Sequence, residues 1–345
     1  MRLFIIASAV LASMGIWSCG NSTSANNQPT DGTSTDSTKN EQLATASTET
    51  IKPRLDTAHY NKMLQHMANG DTSGKWPVKA HYPLHGAILP MKRVIAYYGN
   101  LFSTRMGILG ELPKAQMIQK LKGEVEKWNK ADSLTPAIPA LHYIAVTAQQ
   151  EPGKAGKYRL RMPFHQIDTV YNWAQGIGAL TFIDVQVGHS TLQSEIPEFD
   201  EYLKRPDFHL GIDPEFSMKG GERPGTVIGS FHANDINWVI DHLAKIVREN
   251  NLPPKILVIH RFTNNMVQNY DQIKLIPEVQ VVIDMDGWGD KALKAGTWKR
   301  FVYEQPVHFA GFKLFYKNDL KKGGSMYTPT ELIQFTPRPV YIQYQ

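Results

Sequence analysis

Phe208-His-Leu-Gly-Ile-Asp213, then Asn234-Asp-Ile-Asn-Trp-Val-Ile-Asp-His-Leu-Ala-Lys-Ile-Val-Arg-Glu-Asn250, then Ile256-Leu-Val-Ile259 reads as a strand, a helix and a strand. In the middle run Ile236, Ile240, Leu243, Ile246 and Val247 recur at helical spacing and make one apolar stripe. The flanking runs are short, apolar and too brief for helices, which fits strands buried on both faces. A strand–helix–strand unit of this kind predicts parallel pairing.

Working outward, the same alternation continues. Strands are expected at Val94–Tyr98, Leu141–Thr147, Leu180–Val187, Phe208–Asp213, Ile256–Ile259, Val281–Asp284, Phe309–Phe315 and Val340–Tyr344. Helices are expected at Ala58–Met67, Pro113–Lys130, Asp168–Gln175, Ile196–Lys204, Asn234–Asn250, Thr263–Ile273 and Asp290–Val302. Eight strands alternating with helices predict an α/β fold, a single TIM-type (β/α)8 barrel. The eighth strand stands just before Gln345, so the last helix is expected to be missing. The helix at Ala58–Met67 is then expected to cover that gap or plug the barrel bottom.

In such a barrel the reactive face lies beyond the C-terminal ends of the strands, and alternate side chains point inward. The polar residues follow that rule. Strand three carries Asp184 and Gln186, with His189 beyond it, and strand four places His209, Gly211, Asp213 and Glu215 on one face. Strand five ends in His260 and Arg261, and strand six puts Asp284 and Asp286 on one face, followed by Trp288. Lys313, Gln343 and Tyr97 or Tyr98 come from strands seven, eight and one. Buried carboxylates are costly unless paired, so these acids imply a polar pocket at the rim. Some have structural readings beside the functional one. Asp284 and Asp286 suit an Asp-capped turn, His209 and His260 suit core histidines, and Lys313 suits neutralisation of neighbouring acids.

Phe208-His-Leu-Gly-Ile-Asp-Pro-Glu-Phe216 resembles the end of strand four in chitinase-like (family 18) glycoside hydrolases, and Tyr97-Tyr98 is similar to that family's paired tyrosines. The lysozyme-like barrels of family 25 share an Asp-x-Glu on a strand, and Tyr341-Ile-Gln-Tyr344 is similar to their closing segment. The resemblance implies Glu215 as general acid and Asp213 as the residue that orients substrate. Arg205-Pro-Asp207 departs from the chitinase pattern upstream, and Pro214 ends regular strand pairing before Glu215.

Glycoside cleavage needs one carboxyl kept protonated and a second kept ionised, and clustered acids supply both. Asp184 and Asp284 are the expected second carboxylates. Tyr98, Gln186, His260, Asp286, Trp288, Lys313 and Gln343 are expected to contact substrate, with Trp288, Tyr98 and Phe262 offering flat faces to sugar rings. The leading expectation is a glycoside hydrolase acting on a polysaccharide or peptidoglycan-type glycan, with no cofactor and no metal. The alternatives are a metal-dependent hydrolase of the phosphodiesterase or esterase type, using His189, His260, Asp184, Asp213, Glu215 and Asp284, or a glycan-binding barrel without catalysis. No His-x-His or His-Glu-x-x-His spacing supports the metal reading.

The rest of the 345 residues reads as an address and a tether. Met1-Arg2, the apolar run Leu3–Trp17 and Ser18-Cys19 are similar to a bacterial lipoprotein signal, in which Cys19 is the lipidated residue. Residues 20–56 are rich in Ser, Thr and Asn and are expected to be a disordered linker, leaving 57–345 as the barrel domain. The expected location is the bacterial cell envelope, with the membrane reached through the lipid anchor. The one cysteine excludes a disulfide framework and a thiolate zinc cage. With 42% apolar residues the chain can build a large core, and a net charge of +5 without a basic block gives no reason to expect nucleic acid.

Overall fold

A computed structural model describes residues 54–345; the expected signal, Cys19 and all but the last residues of the tether lie outside them. Eight parallel strands close into a barrel. They are β1 (Arg93–Gly99), β2 (Ala137–Ala148), β3 (Leu180–Val185), β4 (Phe208–Ile212), β5 (Lys255–Arg261), β6 (Val279–Met285), β7 (Phe309–Leu314) and β8 (Tyr341–Tyr344). Each pairs with the next, and β1 pairs with both β2 and β8, which shuts the sheet on itself. All eight expected strands are present, in the expected order.

Helices α1 (Thr57–Ala68), α2 (Lys114–Ala131), α3 (Phe164–Gln175), α4 (Ala233–Glu249) and α5 (Lys291–Trp298) pack outside or below the strands. The α4 stripe of Ile236, Ile240, Leu243, Ile246 and Val247 is buried. A capping box at its start, His232 against Asp235, satisfies backbone donors that would otherwise be lost. In α2, Pro113 stands at the N-cap, and Met117, Leu121 and Trp128 face the barrel.

Two expected helices are corrected. Thr263–Ile273 forms no α-helix, only a single 3-10 turn at Tyr270–Gln272. Val267–Gln268 pairs instead with Phe231–His232, Asn269 is left-handed (φ 55°), and Arg261 donates to the Thr263 and Asn264 carbonyls. Those contacts spend the backbone groups a helix would need. The stretch expected as a helix at Ile196–Lys204 is a chain of single turns, Leu192–Glu195, Ile196–Phe199 and Asp200–Leu203, with Pro197 inside it.

The helix expected at Ala58–Met67 forms as α1 and docks beside the segment leading into β8. Arg338 donates its backbone N–H to the Met67 carbonyl, and the Asn69 amide donates to Gln334 and Phe335. The plug of the N-terminal mouth comes from residues after α1. Gln280, which points inward at the start of β6, accepts from the Ile88 and Leu89 N–H groups and donates to the Leu89 carbonyl. Leu89 and Gln280 are fully buried. The site is therefore left to the opposite mouth.

Candidate active site

Alternation along the strands sends Tyr98, His142, Asp184, Gly211, Asp213, His260, Asp284, Asp286, Lys313, Tyr341 and Gln343 into the barrel. They lie in two levels. The lower level is enclosed: His142, Asp184, His260, Asp284 and Gln343 have no exposed surface. Tyr98 donates its hydroxyl to Asp184 Oδ2 at 2.8 Å. Asp184 Oδ1 lies 3.3 Å from His260 Nε2 and 3.7 Å from His142 Nε2. His260 Nδ1 faces Asp286 Oδ2 at 3.2 Å and Asp284 Oδ2 at 3.5 Å. The Tyr341 hydroxyl meets His142 Nδ1 at 2.6 Å, and the Gln343 amide touches both.

Room for the buried acids comes from glycines on the next strand. Asp184 is registered with Gly211, and a Cβ at 211 would stand 2.6 Å from Asp184 Oδ1 and 2.5 Å from His142 Nε2. Asp284 is registered with Gly311, where a Cβ would stand 2.7 Å from Asp284 Oδ1. Both glycines are needed for close approach.

The upper level is the rim. Asp213 N-caps the turn Pro214–Phe216 by accepting the Glu215 N–H on Oδ1 at 3.0 Å, and Gln186 donates to its Oδ2 at 3.3 Å. Gln186 is itself held by the Ala148 N–H. Lys313 forms an ion pair with Asp286 at 2.9 Å and lies 4.1 Å from the centre of the Tyr98 ring. Trp288, 40% exposed, stands beyond β6 with the Lys321 ammonium over its ring. Phe102, 58% exposed, stands beyond β1.

Charge is divided unevenly over these acids. Burial pushes the Glu215 carboxyl up to about 8, and the negative charges of Asp213 and Asp286 add to it. Burial likewise pushes Asp213 up to about 7, with Asp184 and Asp286 contributing. Burial opposes ionisation of Asp286 as well, yet Lys313 and His260 hold it below the usual carboxylate range. Burial raises Asp284, and the His260 beside it only partly offsets this. Asp184 is held low against its burial by His260 and His142. The rim thus combines a carboxyl that keeps its proton at neutral pH with a carboxylate that does not.

The structure brings Asp184, Asp213, Glu215, Asp284, Asp286, His260 and Lys313 to one end of the barrel. Asp184 and Asp284, expected as second carboxylates, lie a level below the rim. Tyr98, His260 and Gln343 are enclosed and hold their neighbours. Phe262 is packed against the core, and Trp288 remains the open flat face. His189 stands apart: its Nε2 meets the Glu222 carbonyl and its ring packs on Tyr158. It cannot join the metal set expected for it. His209 Nδ1 accepts the Ile256 N–H in the core. His142 was not among the expected site residues, and Tyr341 was expected only as part of the closing segment Tyr341-Ile-Gln-Tyr344. Among the described residues, His142, Asp184 and His260 present ligand atoms within 4.8 Å of one another.

No protein-family model and no curated protein sequence matches the chain. Solved structures resemble it distantly. A cellulase superposes with a TM-score of 0.38 at 13% identity, over 64% of this chain and 65% of the cellulase. Thermotoga maritima Cel5A, solved with a cellobiose substrate, gives 0.36 at 10% identity, over 74% of this chain and 88% of its own. A Bacillus subtilis mannanase gives 0.36 at 12% identity, over 84% and 86%. None of the three is named as a chitinase or a lysozyme.

Proposed function

We propose that the protein is a glycoside hydrolase whose general acid is Glu215. The observation that carries this reading is the rim pairing of a carboxyl raised to about 8 with a carboxylate, Asp286, fixed 2.9 Å from the Lys313 ammonium. A glycosidic oxygen leaves only if it is protonated, and the oxocarbenium-like centre left behind needs a negative charge or an activated water. Glu215 supplies the proton. Asp286 supplies the charge or the base, a role the sequence alone favoured for Asp184 and Asp284. Asp213 holds the Asp-Pro-Glu turn, so that Glu215 is aimed by its own backbone N–H. Trp288 and Phe102 give sugar rings flat apolar faces.

The substrate class on this reading is a polysaccharide or peptidoglycan-type glycan, reached at the cell envelope by a chain lipidated at Cys19. The test is release of reducing ends from a panel of such glycans by the wild type and by Glu215→Gln. Wild-type hydrolysis with a loss of about 10²–10⁴-fold in the variant is expected, the usual worth of a positioned acid. Equal rates in the two proteins, or a folded wild type that binds glycans and cleaves none, would end the reading.

A further inference from the structure

We propose that His142, Asp184 and His260 form a site for one divalent zinc-class metal ion below the rim. The inference does not rest on the glycosidase reading, since it concerns the enclosed level and needs no turnover.

The three residues come from β2, β3 and β5 and have no exposed surface. His142 Nε2, His260 Nε2 and Asp184 Oδ1 converge, and none of the three atoms has a hydrogen-bond partner. Buried polar atoms left in this way are costly, and three aimed at one point call for a shared partner. Two of the separations, 3.3 and 3.7 Å, are close to the roughly 3.3 Å between tetrahedral ligands placed about 2.0–2.1 Å from zinc. Two imidazoles and a carboxylate are a donor set that zinc accepts.

The far side of two ligands is hydrogen-bonded, and the third, His260, turns Nδ1 towards the Asp286 and Asp284 carboxylates at 3.2 and 3.5 Å without a formed hydrogen bond. Donation to either carboxylate would leave Nε2 with its lone pair for the metal. His142 has Nδ1 against the Tyr341 hydroxyl, and Asp184 has Oδ2 bonded by Tyr98. Gly211 keeps the space beside His142 Nε2 and Asp184 Oδ1 free of any side chain. Charge balance agrees. Lys313 serves Asp286, and Lys294, the other buried lysine near β7, is committed to Asp319. Asp184 and Asp284 therefore have no lysine or arginine partner among the described residues.

Because the ligands are enclosed, uptake is coupled to folding. The test uses the full chain, unfolded with chelator and refolded with or without zinc chloride, followed by elemental analysis and thermal melting. About one zinc per chain and a higher melting temperature than the zinc-free protein are expected. Competition against a chromophoric chelator should show zinc affinity at least 100-fold weaker in Asp184→Asn. Tyr341→Phe, which keeps every ligand, should weaken zinc about 10–100-fold. A folded wild type without stoichiometric zinc would overturn the site. So would unchanged affinity in both variants; His260 would then be an imidazolium bridging Asp184 and Asp286. Every readout is binding or melting, so loss of the metal site leaves the Glu215 test standing.

Discussion

At the N-terminal mouth of the barrel, Gln280 uses its side-chain oxygen and nitrogen on Ile88 and Leu89, and Arg93 donates to Asp132 and to the Pro339 carbonyl. At the C-terminal mouth, on the same strands, Asp184, Asp213, Glu215, Asp284 and Asp286 are gathered around one lysine, Lys313, and two histidines. Both ends bury polar groups. The first pairs its groups with neighbours, one Arg93 guanidinium nitrogen excepted, and closes. The second crowds like charges together and leaves atoms of Asp184, Asp284, His142 and His260 without hydrogen bonds. Barrel strands carry stability at one end and chemistry at the other, and here the difference is visible in how charge is balanced.

The largest effect is expected from Lys313→Met at the C-terminal mouth. It leaves Asp286 buried without its ammonium, and the expected loss of stability in denaturant melts is about 3–5 kcal/mol. A smaller loss would mean that the upper mouth does not depend on its one lysine. At the lower mouth, Gln280→Ala orphans the Ile88 and Leu89 groups. About 1–3 kcal/mol of stability should go while hydrolysis by the remaining folded protein is unchanged. A fall in kcat there would blur the division between the two ends.

Gly211→Ala puts a methyl group 2.5 Å from His142 Nε2 and should cost about 1–3 kcal/mol, measured the same way. A pH-dependent effect belongs to Glu215. Its proton is held to about pH 8 in the folded chain against an ordinary value of 4.5. The folded state therefore binds more protons between those values, and its stability falls as pH rises from about 4.5 to about 8. Melts across that range should slope less steeply in Glu215→Gln than in the wild type. The mildest effect is Trp288→Ala, with KM for a glycan substrate rising about threefold to tenfold and kcat little changed.

The strand order was readable because every barrel strand is a short apolar run bounded by turn residues, from Val94–Tyr98 to Val340–Tyr344. The acids of strands three, four and six were readable because their i,i+2 spacing survives any error in strand ends. His142 was not, although a lone polar residue inside Leu141-His-Tyr-Ile-Ala-Val146 was the available signal. A strand buried on both faces does not reveal which face is inward, and Tyr98 and Asp184 set that phase only once the barrel closes. The depth of Asp184 and Asp284 was hidden for the same reason: spacing gives the face, while height above the barrel floor depends on register. The false helix at Thr263–Ile273 failed on contacts supplied by the adjoining Arg261 and by Phe231, from elsewhere in the fold.

Everything proposed for the rim depends on the Glu215 carboxyl carrying a proton at neutral pH. NMR titration of the side-chain carboxyl carbons, with the Glu215 signal assigned by its disappearance in Glu215→Gln, measures this directly. A midpoint at about 8 is expected. A midpoint near the ordinary 4.5 would leave the rim with no acid to give and would contradict Glu215 as general acid.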